Sequence, residues 1–123
     1  MGDRPQGRAQ ASKTPPDVHP PEFRSVNIFT VEEVWQQWKE GLGGNPPVEE
    51  LERDWGTRWR SEARMRQWFS RRKVIWDRLQ EIIKAGHTAG DAVRQLEKLR
   101  KHNPKGTSLN QLVKLLQRQK AQA

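Results

Sequence analysis

Apolar residues recur at every third or fourth position in five stretches of this chain, which is the spacing of amphipathic α-helices. The longest period runs from Met65 to Ile83 and predicts a helix over about 60–85. Shorter periods predict four more helices, at about 31–40, at 48–55, at 89–102 and from residue 108 onward. No apolar stretch alternates with a period of two over the length of a strand. The pattern therefore predicts an all-α domain.

Capping residues mark where these helices begin and end. Thr30 and Ser108 each stand three positions before a Glu or a Gln, which is the signature of a capping box. Thr88 is a further N-cap candidate, and Gly56 and Gly86 are expected to stop the second and third helices. The helical domain is predicted to span 28–120.

The first 27 residues follow a different pattern. They contain five of the eight prolines, few aliphatic residues and no helical or strand period. A segment with so little apolar surface to bury is typical of a disordered tail. We therefore predict a disordered N-terminal tail over 1–27.

Tryptophan supplies much of the bulk that this domain has for a core. The hydrophobic fraction is only 33%, and all six tryptophans lie at apolar-face positions of their segments: Trp35, Trp38, Trp55, Trp59, Trp68 and Trp76. We therefore expect most of them in the core rather than stacked on bases. Three helices that each contribute tryptophan, with a basic third helix, favour a Myb-like helix-turn-helix three-helix core with two additional C-terminal helices.

Charge is distributed unevenly along the chain, whose formal net charge is +8. Residues 57–84 carry nine basic and three acidic side chains, and residues 85–123 carry eight and two. Residues 30–56 carry two basic and seven acidic side chains. A basic half beside an acidic segment predicts a one-sided surface that meets a polyanion, with DNA as the best candidate.

A projection at about 100° per residue separates the basic positions of the third helix from its core positions. A stripe on one edge of the core sector is formed by Arg60, Arg64, Gln67, Arg71 and Arg78. The first four of these, with the neighbours Ser70 and Lys73, are predicted to face the major groove, because Arg can fork to guanine and Gln to adenine. Arg72 falls in the apolar sector instead. We expect it to lie over an indole or to pair with an acidic residue of the first two helices.

Phosphate contacts are predicted for Arg58, Arg66 and Lys101 to Lys105, and for the amides at Thr107 and Ser108, where the last helix starts. The complete predicted DNA-binding set is Arg58, Arg60, Arg64, Arg66, Gln67, Ser70, Arg71, Arg72, Lys73, Lys101 and Lys105.

Several short motifs occur in an order that resembles a known family. They include Val34-Trp35-Gln36-Gln37-Trp38, Gly56-Thr57-Arg58-Trp59-Arg60 and Phe69-Ser70-Arg71-Arg72-Lys73. Over about 29–85 the chain resembles the C-terminal DNA-binding domain of the fungal glycolytic-gene transcriptional activators, and the related domains of osmostress and filamentation activators.

The resemblance implies sequence-specific binding to double-stranded promoter DNA in the nucleus. It assigns the family's Trp-Arg pair to Trp59-Arg60 and its Arg-Arg pair to Arg71-Arg72. Pro47 stands where a Ser N-cap is expected in the family. Self-association is expected to depend on residues outside such a module.

Composition argues against catalysis. The chain has no tyrosine and no cysteine, which removes those nucleophiles as well as disulfides. His19, His87 and His102 are isolated, and the acidic residues lack metal-ligand spacing, so no enzyme activity, metal or cofactor is expected. No apolar run reaches the roughly 20 residues of a membrane span, and no small-molecule substrate is indicated.

Other functions remain open at this point. The leucines of the two C-terminal helices make a helical protein-interaction module possible, although closing the domain's own core is the favoured interpretation: Leu96, Leu99, Leu109, Leu112 and Leu116. Two further alternatives are the DNA-binding part of a mobile-element-derived protein and the binding of RNA or single strands.

Overall fold

A computed structural model describes residues 19–122, which form five α-helices and no strand in this part of the chain. The helices are α1 (Val31–Lys39), α2 (Val48–Trp55), α3 (Ala63–Lys84), α4 (Ala89–Lys101) and α5 (Leu109–Gln122), and a 3-10 turn (Gly56–Arg60) joins α2 to α3. The predicted all-α class is confirmed for the described residues.

Local hydrogen bonds explain where the helices begin. At α1 the Thr30 hydroxyl accepts from the Glu33 amide at 3.2 Å, and the Glu33 carboxylate accepts from the Thr30 amide at 3.0 Å, which completes the predicted capping box. The Thr88 and Ser108 hydroxyls accept from amides three residues on, at 3.0 and 3.1 Å. Pro47, the N-cap residue of α2, makes no side-chain cap bond, and the helix begins at Val48 nonetheless.

The third helix begins later than predicted. Gly56 ends α2 with a φ of 58°, a conformation that favours glycine, and the chain then winds into the 3-10 turn before α3 starts at Ala63. The Glu52 carboxylate holds this turn against α2, because it accepts from the Trp59 indole N–H at 2.6 Å and from Arg60 Nε at 2.7 Å. Arg60 therefore lies in the turn and not on the helix, which corrects the prediction that placed it there.

Helix α3 supplies the centre of the core and packs against α1, α4, α5 and the 3-10 turn. Its Ile75, Trp76 and Leu79 are fully buried, and the Trp76 indole N–H donates to the Val34 carbonyl at 2.9 Å. The leucines of α4 and α5 join the same core: Leu96, Leu112 and Leu116 are buried, and Leu99 and Leu109 are partly buried. The C-terminal helices thus close this domain rather than leave an apolar face open.

Tryptophan fills the core only in part. Trp59 and Trp76 are buried, whereas the other four indoles are partly buried and pack against the core from its edge: Trp35, Trp38, Trp55 and Trp68. Tryptophan combines a large apolar body with a polar N–H group, and it therefore suits positions at the border between core and solvent.

Residues before α1 also pack on the domain. Residues 1–18 of the predicted disordered tail, which spans 1–27, lie outside the described residues. Residues 19–27 form no helix or strand, but the ring of Phe23 lies 5.3 Å from Trp59 and 5.1 Å from Trp68, centroid to centroid. The Asn45 side chain accepts from the Arg24 amide at 2.8 Å and donates to the Arg24 carbonyl at 2.7 Å. Residues on the N-terminal side of residue 28 therefore contact the helical domain.

A carboxylate links α4 to the start of α1. Glu97 accepts from the Val31 amide at 2.9 Å and also pairs with Arg100 in its own helix. Burial raises the pKa of Glu97, but the hydrogen bonds from Arg100 and Val31 outweigh it, so that its pKa falls below the ordinary value of 4.5. The charged form of Glu97 therefore stabilises the contact between these two helices.

Candidate nucleic-acid interface

The first three turns of α3 present an exposed basic face, which we call the α3 basic face. It is formed by Arg64, Arg66, Gln67, Ser70 and Arg71, all of which are exposed. Within the described part of the chain, no carboxylate lies within ion-pair distance of its three arginines. Arg66 donates to the backbone carbonyl of Ser61, which leaves its charge uncompensated. This face is therefore a concentrated, unneutralised positive surface on a rigid element.

The charge pattern changes further along α3. Lys73 pairs with Asp77 at 2.6 Å and Arg78 with Glu81 at 3.3 Å, so these cations are compensated within the helix. Val74, Asp77, Arg78 and Glu81 also line a cleft of about 300 Å³ together with the C-terminal half of α5. Helix α5 thus flanks the second half of α3, while the first half stays open to solvent.

The Arg60 side chain is held by contacts within the protein. Its guanidinium donates to both carboxylate oxygens of Glu52, at 2.7 and 3.1 Å, and lies 3.9 Å from the centre of the Phe69 ring. Only 16% of its side chain is exposed. To reach a base, Arg60 would have to give up a bidentate ion pair and a cation–π contact, so the structure gives it a role in holding the turn that precedes α3.

Arg72 is also turned inward. Its guanidinium donates to the Gln37 side-chain oxygen at 3.2 Å and lies 5.4 Å from the Trp68 ring centre. Burial lowers the pKa of Arg72 to about 10, so the group remains charged at neutral pH. Of the two arrangements expected from its place in the apolar sector, the position over an indole is the one observed. Its partner on α1 is a neutral amide and not an acidic residue.

The remaining predicted contacts lie on other elements. Arg58 is exposed in the 3-10 turn, with its guanidinium 5.2 Å from the Trp55 ring centre. Lys101 ends α4, and Lys105 lies in the loop before α5; both are exposed. Thr107 and Ser108 are exposed at the start of α5. The predicted set therefore divides into the α3 basic face with Lys73 beside it, exposed cations outside α3, and two inward-facing arginines.

Two supports of this surface were not identified from the sequence. Glu52 acts at seven and eight positions from its partners Trp59 and Arg60, and only the intervening 3-10 turn brings them together. Phe23 lies in a segment without periodicity and packs on Trp59 and Trp68. For each of them the sequence offered only the residue type as a signal. Glu52 is a carboxylate close in sequence to Arg58 and Arg60, and Phe23 is an aromatic ring in a proline-rich segment.

Most acidic residues lie away from the α3 basic face, although Glu62 immediately precedes α3. Seven of them are in residues 30–56, mostly on α1 and α2, and none belongs to the first three turns of α3. In the described residues no group of three or more His, Cys, Asp or Glu side chains is arranged to hold a metal ion. No helix within 19–122 is long and apolar enough to cross a membrane.

Comparison with known proteins now gives this surface a context. The family model described as "Transcriptional activator of glycolytic enzymes" matches residues 25–100, well over half of the chain. The chain belongs to this family. The matched residues contain α1, α2, the 3-10 turn, α3 and nearly all of α4, whereas α5 lies beyond them. The resemblance inferred from the tryptophan and arginine motifs is thereby confirmed.

Two relatives support the same assignment. Protein MSN1 of Saccharomyces cerevisiae is 34% identical over 76 residues, which are 62% of this chain and 20% of that protein. High-osmolarity-induced transcription protein 1 of Kluyveromyces lactis is 30% identical over 81 residues, which are 65% of this chain and 12% of that protein. The family domain thus covers only a small part of these longer relatives. No solved structure matches the chain.

Proposed function

We propose that this member of the transcriptional-activator family is a sequence-specific, double-stranded DNA-binding module that places the first half of α3 in the major groove. The observation that carries the proposal is the α3 basic face, where three uncompensated arginines surround Gln67 and Ser70. Residues 63–73 are eleven positions of α-helix and span about 16 Å, which is enough to follow the floor of a major groove roughly 12 Å wide.

The proposal gives the side chains different tasks. Arg64, Gln67 and Arg71 contact base edges, because forked and bidentate donors distinguish guanine and adenine in the major groove. Ser70 and Arg66 lie between this row and the groove wall.

Phosphates are held by Lys73 beside the α3 basic face and by exposed cations on neighbouring elements: Arg58, Lys101 and Lys105. Arg60 and Arg72 act through the fold, because their ion pair and hydrogen bond fix the start and the inner side of α3. In this interpretation α1, α2 and α3 correspond to the three helices of a Myb-like helix-turn-helix.

Family membership supports the proposed partner, the proposed location and a non-enzymatic role. A family of transcriptional activators acts on genes rather than on a metabolite, which favours promoter DNA as the partner and the nucleus as the location. It also favours a non-enzymatic role. A protein-interaction module based on the C-terminal leucines is less favoured, since those leucines are buried or partly buried in the domain's own core.

The decisive experiment is a selection from random duplexes with the purified chain, followed by binding measurements on the selected site. Arg71→Ala is expected to lose about 1–3 kcal/mol of discrimination against mismatched sites, because one bidentate base contact is worth that much. Arg53→Ala is the matched control: this arginine is also exposed, but it lies on α2 and pairs with Asp54, so no change is expected. Failure to select any motif would contradict sequence-specific recognition, and full discrimination by Arg71→Ala would contradict the base contact assigned to Arg71.

A salt titration and a competition assay test whether the chain binds duplex DNA through phosphate contacts. With the four phosphate contacts named above, log K should fall against log salt with a slope of about −3.6 or steeper on duplex DNA. Competition with single-stranded DNA and with RNA of the same sequence tests the partner, and the duplex should compete best. Equal competition by single strands would indicate a different ligand class.

A further inference from the structure

Helix α5 has a composition that the core does not explain. After Glu97 the chain contains seven basic residues and no acidic residue. Three of the seven lie on α5, where Lys114, Arg118 and Lys120 are exposed and no carboxylate within the described residues pairs with them. The other exposed polar side chains of this helix are amides. A helix face that serves only solubility usually mixes both signs of charge, and this one does not.

Two of the three cations of α5 project away from the core, and the third, Lys120, borders the cleft between α5 and α3. Leu112, Val113 and Leu116 are buried, and at about 100° per residue Lys114 and Arg118 lie on the opposite side of the helix. A favourable interaction with the helix dipole accounts for cations in the last turn, but Lys114 lies in the middle of α5, where that effect has faded. The dipole therefore does not explain the whole set.

The position of α5 connects this second surface to the first. Arg78 follows Arg71 by seven residues and so continues the row formed by Arg64 and Arg71 along α3. Arg78 lines the cleft in which Lys120 of α5 also lies. Arg78 pairs with Glu81, and Asp77 also lines this cleft, so the cleft places α5 beside the second half of α3 without an unbroken row of free cations. A duplex seated on the first half of α3 meets α5 as the neighbouring ridge.

We propose that α5 is a second DNA contact, in which Lys114, Arg118 and Lys120 hold backbone phosphates of the same duplex beside the site read by α3. The proposal rests on the proposed function and extends it past residue 100, where the family match ends. Phosphate contacts carry no base information, so α5 adds affinity and salt dependence without changing the preferred sequence.

The test compares salt slopes on a mixed-sequence duplex of about 30 base pairs, roughly three helical turns. The triple variant Lys114→Gln, Arg118→Gln, Lys120→Gln should lower the slope by about 2.7, because each phosphate contributes about 0.9. Its selected motif should be that of the unmodified chain. The control is Lys39→Gln with Arg53→Gln, which removes two exposed charges on α1 and α2 and should leave the slope nearly unchanged. Circular dichroism establishes that each variant is folded.

The outcomes separate this inference from the proposed function. If the unmodified chain shows no salt-dependent duplex binding, the proposed function fails. If Lys101→Gln with Lys105→Gln lowers the slope and the α5 triple variant does not, only the role of α5 fails. A final arm mixes two short duplexes with different fluorophores and measures energy transfer. Transfer that requires the α5 cations would mean that α5 holds a second duplex, which overturns contact with the same one.

Discussion

Replacing Phe23 tests whether the segment before α1 is part of the folded domain. Its ring lies between Trp59 of the 3-10 turn and Trp68 of α3, and it is partly buried there. Phe29 provides a matched control in the same segment, since 69% of it is exposed. If the segment were a free tail, Phe23→Ala and Phe29→Ala would have equally small effects.

The expected magnitude follows from burial. Truncating a fully buried Phe to Ala costs about 3–5 kcal/mol, and a half-buried ring should lose roughly half of that, about 2 kcal/mol. For a domain of about 100 residues this corresponds to a fall in Tm of about 8 °C. Phe29→Ala should cost less than about 0.5 kcal/mol, because little of its surface leaves water on folding.

Thermal unfolding followed by circular dichroism measures both variants against the unmodified chain. Tryptophan fluorescence gives an independent readout, because Phe23→Ala opens the side of two indoles to water and should shift their emission to longer wavelength. Equal Tm values for Phe23→Ala and Phe29→Ala, together with unchanged emission, would refute the packing of this segment on the domain.

Three further substitutions probe other supports of the fold. Glu52→Gln, at the half-buried ion pair of the 3-10 turn, should cost about 1–3 kcal/mol in chemical denaturation, whereas Glu49→Gln, in an exposed pair, should cost under about 1 kcal/mol; equal costs would contradict this. Glu97→Gln should destabilise the chain at pH 7. Because the pKa of Glu97 is lowered in the folded state, its charged form stabilises the chain above a pH of about 4.5, and this stabilisation is lost as the pH falls. The difference in unfolding free energy between Glu97→Gln and the unmodified chain should therefore shrink in acid. A difference that does not change with pH would contradict this. Gly41→Ala should destabilise more than Gly44→Ala, measured by Tm, because both have positive φ but only at Gly41 would a Cβ collide with a loop carbonyl; equal Tm values would argue against the described loop.

The existence, order and ends of the helices could be predicted from the sequence because the interactions that set them are local. A helical period repeats within four residues, and the caps at Thr30, Thr88 and Ser108 each act on an amide three residues away. The predicted start of α3 is three residues too early, because the basic stripe keeps helical spacing back to Arg60 although the apolar period begins only at Met65. Only the hydrogen bonds to Glu52 show that the turn is wound differently.

Only the tertiary structure shows which cations are exposed to solvent and which are held by contacts within the protein. Counting charges and projecting one helix could not distinguish Arg60 from Arg64, although the first is held by Glu52 and the second is exposed. Arg72 meets Gln37 across 35 positions of sequence, and the partners of Phe23 lie still further away along the chain. The sequence by itself determined that this family domain has a basic third helix. Which of its arginines face solvent depended on contacts between distant segments, because the free energy of a charged group is set by what surrounds it in space and not by its neighbours in the chain.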